Sequence, residues 1–319
     1  MAGFARGTNS DHLVRANLWS TQLKEVLLDE LFAMKYVDMI TDFPDGDTLN
    51  IPSIGQAEIL DYAENQPIRY TAMDTGNFTF TITDYKQSGT YITNKMKQDS
   101  YVMDRIVSSF IPKQHRAIMK AIEVKVLNAG PSGQTASNSN TINNAKHRFV
   151  ASGTNQVITV QDFAKANYTL DKANVPNVNR IAIVDPSVTY TLETLTNLVN
   201  MSFNPRWEGI IETGLSSTGL QFVRNIYGFD VYESKNLNAG MSETVDSVAV
   251  TNGVANIFFS AAPEIMPIVG LMRQPPKVDS EYNKDRQRDE YVTTCRYGFK
   301  LFRPENMVTV ISDTSRVYS

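Results

Sequence analysis

A single long apolar stripe governs how this chain can fold. Through residues 97–127 the side chains Tyr101, Met103, Ile106, Phe110, Ile118, Ile122 and Val126 recur at helical spacing. One side of a long helix is therefore made to be buried against another layer. Pro112 falls inside the run and either kinks the rod or starts a second helix, because its ring removes a backbone donor. Gly130-Pro131 supplies the stop signal.

Upstream, residues 1–20 are polar and irregular and read as an extended arm. Residues 21–37 place Leu23, Val26, Leu27, Leu31 and Met34 at three- and four-residue spacings, the pattern of an amphipathic helix. Asp42, Asp45 and Asp47 surround Pro44 and Gly46. Their spacing fails the calcium-loop pattern and no glutamate closes it, so an acidic solvated turn is the better reading. Residues 48–94 read as strands, with Phe78, Phe80 and Ile82 alternating with Thr79, Thr81 and Thr83. Between the strands, residues 57–75 are polar and interrupted by Pro67. A long hairpin with so little apolar surface at its tip cannot hold itself down and must find a partner surface. Its larger side chains, Ile59, Tyr62, Ile68 and Tyr70, are the candidate contacts.

Downstream, residues 131–156 are rich in Ser, Asn and Thr and predict an exposed loop, the best place for a domain boundary. A second unit starts at Val157. It has predicted helices at 162–173 and 187–200, and strands at 181–184, 220–223, 228–233 and 256–261. Helices alternating with short buried strands indicate a mixed α/β unit. The chain then returns to strand at 277–282, 291–301 and 307–311. Between Lys277 and Arg296 stand five basic and five acidic residues. The segment around NKDRQRDE is thus either a solvated hairpin or a self-complementary contact between identical subunits.

At 319 residues the chain can form one large domain or two moderate ones. Hydrophobic residues at 42% and charged residues at 20% make it too apolar for a disordered chain. The net charge of −4 argues against a dedicated nucleic-acid binder, while loose contact with nucleic acid stays open. No apolar run approaches the roughly 20 residues that span a bilayer. The N-terminus has no secretory core, so cytoplasmic synthesis is expected. Cys295 is the one cysteine and, in a strand-like run, reads as a small buried hydrophobe and not a nucleophile. His12, His115 and His147 fall in the arm, a helix and a loop, and none has a metal-ligand neighbour at suitable spacing. Phosphate-cradling, nucleophile-elbow and zinc-protease motifs are absent, so neither a catalytic centre nor a cofactor is expected.

Three local runs carry a family resemblance. They are LDKANVP leading to NRIAIVDPSVTYTL (170–192), VRNIYGFDVYESKNL (223–237) and YGFKLFRPENMVTV (297–310). With the order of arm, helix, projecting hairpin, long helix, α/β unit and return strands, they resemble the major capsid proteins of tailed bacteriophages. This is the fold named for the Hong Kong ninety-seven phage, and the short-tailed podophage head proteins are the most similar.

The resemblance implies an α+β capsid fold divided into arm and helix (1–47), extended hairpin (48–96), and spine helix with linker (97–156). An axial domain (157–262) and return strands of the peripheral domain (263–319) would follow. It implies a subunit that assembles with itself, as hexamers and pentamers, into an icosahedral virion shell around double-stranded DNA, made in the host cytoplasm. The further partners implied are a separate scaffolding protein, a portal at one vertex and a possible decoration protein, with no membrane. Trp207 and the charged residues Lys284, Asp285, Arg286, Arg288, Asp289 and Glu290 would lie at subunit contacts. Some relatives crosslink through a lysine on the hairpin. Here Lys86, Lys95 and Lys97 stand at its base, and no lysine lies between Gln56 and Thr75. An encapsulin shell of the same fold is the nearest alternative, against which the polar arm stands. An α/β enzyme of unrecognised type is the alternative from another class.

Overall fold

The computed structural model describes residues 31–40, 46, 48–54, 61, 64, 75–99, 103–194 and 222–316. Its first half contains β1 (Asp38–Ile40), β2 (Thr48–Ile54), β3 (Thr75–Thr81) and β4 (Asp84–Thr93), then α1 (Asn94–Asp99) and α2 (Met103–Gly133). A small hairpin of β5 (Thr141–Ile142) and β6 (Ala145–Lys146) leads to β7 (Arg148–Val150) and α3 (Val160–Lys172). Next come β8 (Arg180–Val184), α4 (Pro186–Thr194), β9 (Phe222–Ile226) and β10 (Phe229–Glu233). The chain closes with β11 (Met241–Val245), β12 (Val248–Ser260), β13 (Ile268–Asn283), β14 (Arg288–Leu301) and β15 (Val308–Asp313).

Two sheets organise these elements. One runs β1-β13-β14-β4, and the other runs β7-β15-β12-β8-β10-β9 with β11 paired to β12. Helix α2 covers the first sheet with the second half of the stripe read from the sequence, Ile118, Ile122 and Val126, which are all buried; Tyr101 lies outside the described residues. Its 31 residues make a rod of about 46 Å. Pro112 does not break it, and its ring lies on the exposed side. The helix also passes the expected stop at Pro131 and continues to Gly133. There a Cβ would stand 2.5 Å from Leu301 Cβ, so only glycine lets the last turn press onto β14.

The second sheet is buried on both faces at its centre. Ile181, Ile183, Ile257 and Phe259 join α2 and the first sheet in one core. Ala182, Val184 and Phe258 face α3 and α4 in another, with Phe163, Leu170, Val188 and Leu192. That double burial explains why 181–184 is a continuous apolar run with no alternation. Helix α3 begins at Val160, two residues before the expected start. Asp162 is its third residue, and its carboxylate accepts the Thr159 N–H at 2.8 Å in a capping box.

Four expectations need correction. Residues 131–156 are not an exposed linker: β7 pairs in parallel with β15, and Arg148 and Phe149 are buried. The asparagines there make tight turns, Asn140, Asn143 and Asn144 all having positive φ, which short polar side chains tolerate. Strands β7 and β15 therefore belong to the sheet of the second unit, outside the span 157–262 drawn for it. The first helix does not reach Val37 in α form. Ala33–Tyr36 is one 3-10 turn, Val37 is extended and β1 pairs with β13; residues 21–30 lie outside the described residues. Finally, β13 begins at Ile268, well before Lys277, because Pro275 and Pro276 sit where the ladder shifts register.

Candidate assembly surfaces

The projecting ribbon is fixed at its base. Strands β2 and β3 pair from Thr48↔Thr81 to Ile54↔Thr75. Phe80 and Ile82 are buried with Val269 and Leu271. The Phe78 ring meets Phe302 edge-on at 4.9 Å, and Lys300 Nζ lies 4.7 Å from the Phe78 centroid. The same ammonium donates to the Thr79 carbonyl at 2.9 Å. The proposed tip contacts Ile59, Tyr62, Ile68 and Tyr70 lie outside the described residues, as does Trp207.

The mixed-charge segment divides into two groups. Lys284, Asp285 and Arg286 are exposed in the β13–β14 turn and form no ion pair with another described residue. Arg288, Asp289 and Glu290 are not loop residues: they are the first three residues of β14. Arg288 Nε donates to Glu290 Oε1 at 2.6 Å, and its guanidinium stacks 4.3 Å from the Tyr91 ring. Asn283 Nδ2 adds a bond to the same Glu290 oxygen at 3.1 Å. The hydrogen bond from Arg288 is the main reason the Glu290 carboxyl sits below its ordinary value. Asp289, on the opposite face, pairs with Lys97 of α1. Asn94 closes the arrangement, its backbone N–H donating to Gln287 O at 3.0 Å and its Nδ2 to the Tyr282 hydroxyl at 2.7 Å. Sequence reasoning missed Tyr91, Asn94 and Tyr282. The two-residue spacing of Arg288 and Glu290 was the available signal, since it puts both on one strand face.

The segment before β1 is pinned from two sides. Glu123 of α2 accepts the Phe32 N–H at 3.2 Å and the Ala33 N–H at 2.9 Å. Burial pushes its carboxyl above the ordinary value, the two amides acting against that shift. The Phe32 and Tyr36 rings pack on Tyr232 of β10 with centroids 5.9 and 6.1 Å away. Burial is also the main cause raising the Tyr36 hydroxyl, helped by its bond to Tyr232.

The remaining singled-out residues fall in different settings. Cys295 is fully buried, its Sγ 3.2 Å from Gln274 O, and burial pushes the thiol up, away from a reactive thiolate. His115 is exposed on α2, whereas His147 is buried and not in a solvated loop. His147 Nδ1 faces the Met307 carbonyl at 3.1 Å and so carries the proton; burial lowers its pKa. Among the described residues no three His, Cys, Asp or Glu side chains gather to hold a metal. His12, Asp42, Asp45 and Asp47 lie outside the described residues. Lys86 projects from β4 toward α2, Lys95 is exposed on α1, and Lys97 is committed to Asp289.

A long helix laid on one sheet, a base-anchored ribbon and a second, doubly covered sheet sharing a core with the first define the α+β fold of this chain. The phage capsid protein model matches residues 77–310, and the chain belongs to that family. Solved structures share the fold. One, "Mycobacterium phage Che8", is 17% identical with a TM-score of 0.67, covering 93% of this chain and 96% of that one. "Capsid structure of the Cyanophage P-SCSP1u" is 14% identical with a TM-score of 0.69, covering 97% and 96%. "Cyanophage Pam1 capsid asymmetric unit" is 13% identical with a TM-score of 0.67, covering 99% and 100%. No curated protein matches the chain. The family makes it a phage capsid protein, these structures share its fold, and the encapsulin alternative is not favoured.

Proposed function

We propose that this capsid protein is the repeating subunit of a closed icosahedral head, joining itself as hexamers and pentamers around double-stranded DNA. The base-anchored ribbon carries this reading. Its root is locked by Phe78, Phe80, Lys300 and Phe302, so β2 and β3 are held firmly on the body. Closed shells need heterologous contacts whose rotations return on themselves. Many modest contacts then reinforce one another.

On this reading the work is done by surfaces, and no catalytic group is used. The first sheet with α2 acts as the peripheral domain, and the second sheet with α3 and α4 as the axial one. Lys284, Asp285 and Arg286 meet their copies between capsomers. Assembly takes place in the host cytoplasm with a separate scaffolding protein and a portal, and a decoration protein joins where the shell carries one. Expressed with and without the product of the neighbouring gene, the chain should give rings or shells of uniform curvature in negative stain. A subunit that stays monomeric at high concentration under both conditions overturns the reading.

A further inference from the structure

The β13–β14 hairpin changes character at one point. Before it, Ile268–Leu271 are buried in the body and β1 pairs beside them. Beyond it, residues 277–282 are all exposed, and the hairpin runs out as a tongue with β4 lying along β14. The exposed charges Lys284, Asp285 and Arg286 stand at its turn. Between body and tongue lies a double irregularity. Met272 faces Tyr297, Gln274 faces Arg296 and Lys277 faces Thr294, so five steps along β13 meet three along β14. The two surplus residues add about 7 Å of backbone to β13. Strand β14 has no such surplus against β4, whose register is unbroken from Asp84↔Tyr297 to Thr93↔Arg288. A strand lengthened on one side only bends and twists the ribbon at that point.

The residues at the bend make it stiff. Pro275 and Pro276 each hold φ at about −65° and have no N–H, so neither can slip back into the ladder. A residue that precedes proline is confined to extended conformations, which restricts Gln274 and Pro275 as well. Side chains then close over the break. Gln274 Nε2 donates to Thr294 Oγ1 at 2.9 Å. The thiol of fully buried Cys295 donates to the Gln274 carbonyl at 3.2 Å, so that carbonyl keeps a partner where the register shifts.

Such a bend acts as a lever. The strand from Lys277 to the turn at Asp285 is about 26 Å long, so about 10° of play at the bend would swing the turn by about 4–5 Å. That is more than a hydrogen bond or an ion pair tolerates. A closed shell needs the same angle repeated at each copy of a contact. We propose that Gln274, Pro275 and Pro276 are positioning residues, a stiff elbow that sets the angle at which the tongue meets neighbouring copies and with it the curvature of the shell. This deepens the shell-subunit reading and rests on it.

The test uses full-length chains. Pro275→Ala with Pro276→Ala restores two N–H groups and frees φ at both positions. The subunit should still fold, while the spread of particle diameters in electron micrographs should grow about twofold or more, with open sheets or tubes among the products. Cys295→Val removes the thiol donor and should act in the same direction, whereas Cys295→Ser keeps a donor and should give uniform particles. A purely structural core position would rank these two the other way, since valine suits burial better. Spin labels at Lys113→Cys on α2 and Ser280→Cys on the tongue report the elbow directly, because buried Cys295 takes no label. Their distance distribution should be single and narrow with the prolines present and wider without them. Equal widths overturn the proposal, as do wider distances with particles of unchanged diameter. If the double variant fails to fold, the cysteine pair decides, and uniform particles from Cys295→Val overturn it. An unmodified chain that forms no particles overturns the shell reading and the curvature role with it. If that chain assembles and the variants reach the same uniform size, the elbow alone fails.

Discussion

Replacing Phe78 with alanine separates the anchoring of the ribbon from the stability of the body. The ring is half-buried and makes two oriented contacts, edge-on to Phe302 at 4.9 Å and under Lys300 Nζ at 4.7 Å. An aromatic pair of this geometry contributes about 0.5–1.5 kcal/mol. A partly exposed cation over a ring adds about 0.5–1 kcal/mol. Phe78→Ala should then loosen the ribbon root by about 1–2.5 kcal/mol, or about 5- to 60-fold in the opening equilibrium at 1.4 kcal/mol per tenfold. Hydrogen exchange reads this directly: amides of Thr75–Thr81 and Thr48–Ile54 should exchange faster by that factor. Amides of Arg180–Val184 and Val248–Ser260, in the doubly covered sheet, should not change. Lys300→Met should show the smaller part of the effect, since it keeps the ring pair. Unchanged exchange in β2 and β3, or an equal acceleration throughout the second sheet, refutes the idea of a locally anchored ribbon.

Glu123→Ala should strip the Phe32 and Ala33 amides of their acceptor while both residues stay buried, costing about 1–3 kcal/mol per amide in denaturant titrations; Glu123→Gln should recover part of that. His147 gives a pH dependence of known sign. Burial lowers its folded pKa below the ordinary 6.5, so below that pH the unfolded chain takes up a proton that the folded chain resists. Stability should fall as pH drops through 6.5 by more in the wild type than in His147→Gln, measured by chemical denaturation at stepped pH. Cys295 should resist thiol reagents in the folded subunit and react fully once the chain is unfolded, as mass spectrometry would show. Arg286→Glu should leave the subunit's melting temperature unchanged, whereas Arg288→Glu should lower it by breaking the contacts to Glu290 and Tyr91; sedimentation of assembled material then tells whether the turn also joins subunits.

The parts of the fold that could be read from the sequence are those where one residue pattern meets one environment. The α2 stripe and the run 181–184 are such cases, because burial on one side or on both leaves a periodic signature. Residues 131–156 deceived for a definite reason. Their asparagines and serines form tight turns around β5, β6 and β7, and composition alone cannot separate a turn-rich buried segment from a loose one. The start of β13 was hidden by Pro275 and Pro276, which the sheet absorbs as a register shift. Of the candidate contacts, the turn charges Lys284, Asp285 and Arg286 are exposed, while Arg288, Asp289 and Glu290 are taken up by partners within the same chain. The groove of about 460 Å³ between β4 and α2 was not visible at all. Lys86 and Lys120 are brought together only by packing α2 on β4, although the spacing of Lys113, Arg116 and Lys120 marks a one-signed helix face.

The last strands to be made occupy interior places in both sheets. Strand β14 lies between β13 and β4, and β15 lies between β12 and β7. During translation, β4 and β7 therefore emerge without their neighbours and stay so until almost all of the polypeptide has left the ribosome. A prematurely terminated product that stops short of Val308 lacks the strand that joins β7 to its sheet. One that stops before Arg288 also leaves β4 without β14, its strand partner among the described residues. Such fragments cannot present the finished outline of a subunit. In a shell built from copies of one chain, that arrangement works as a completeness check, because aborted chains lack β14 or β15 and with them the finished fold.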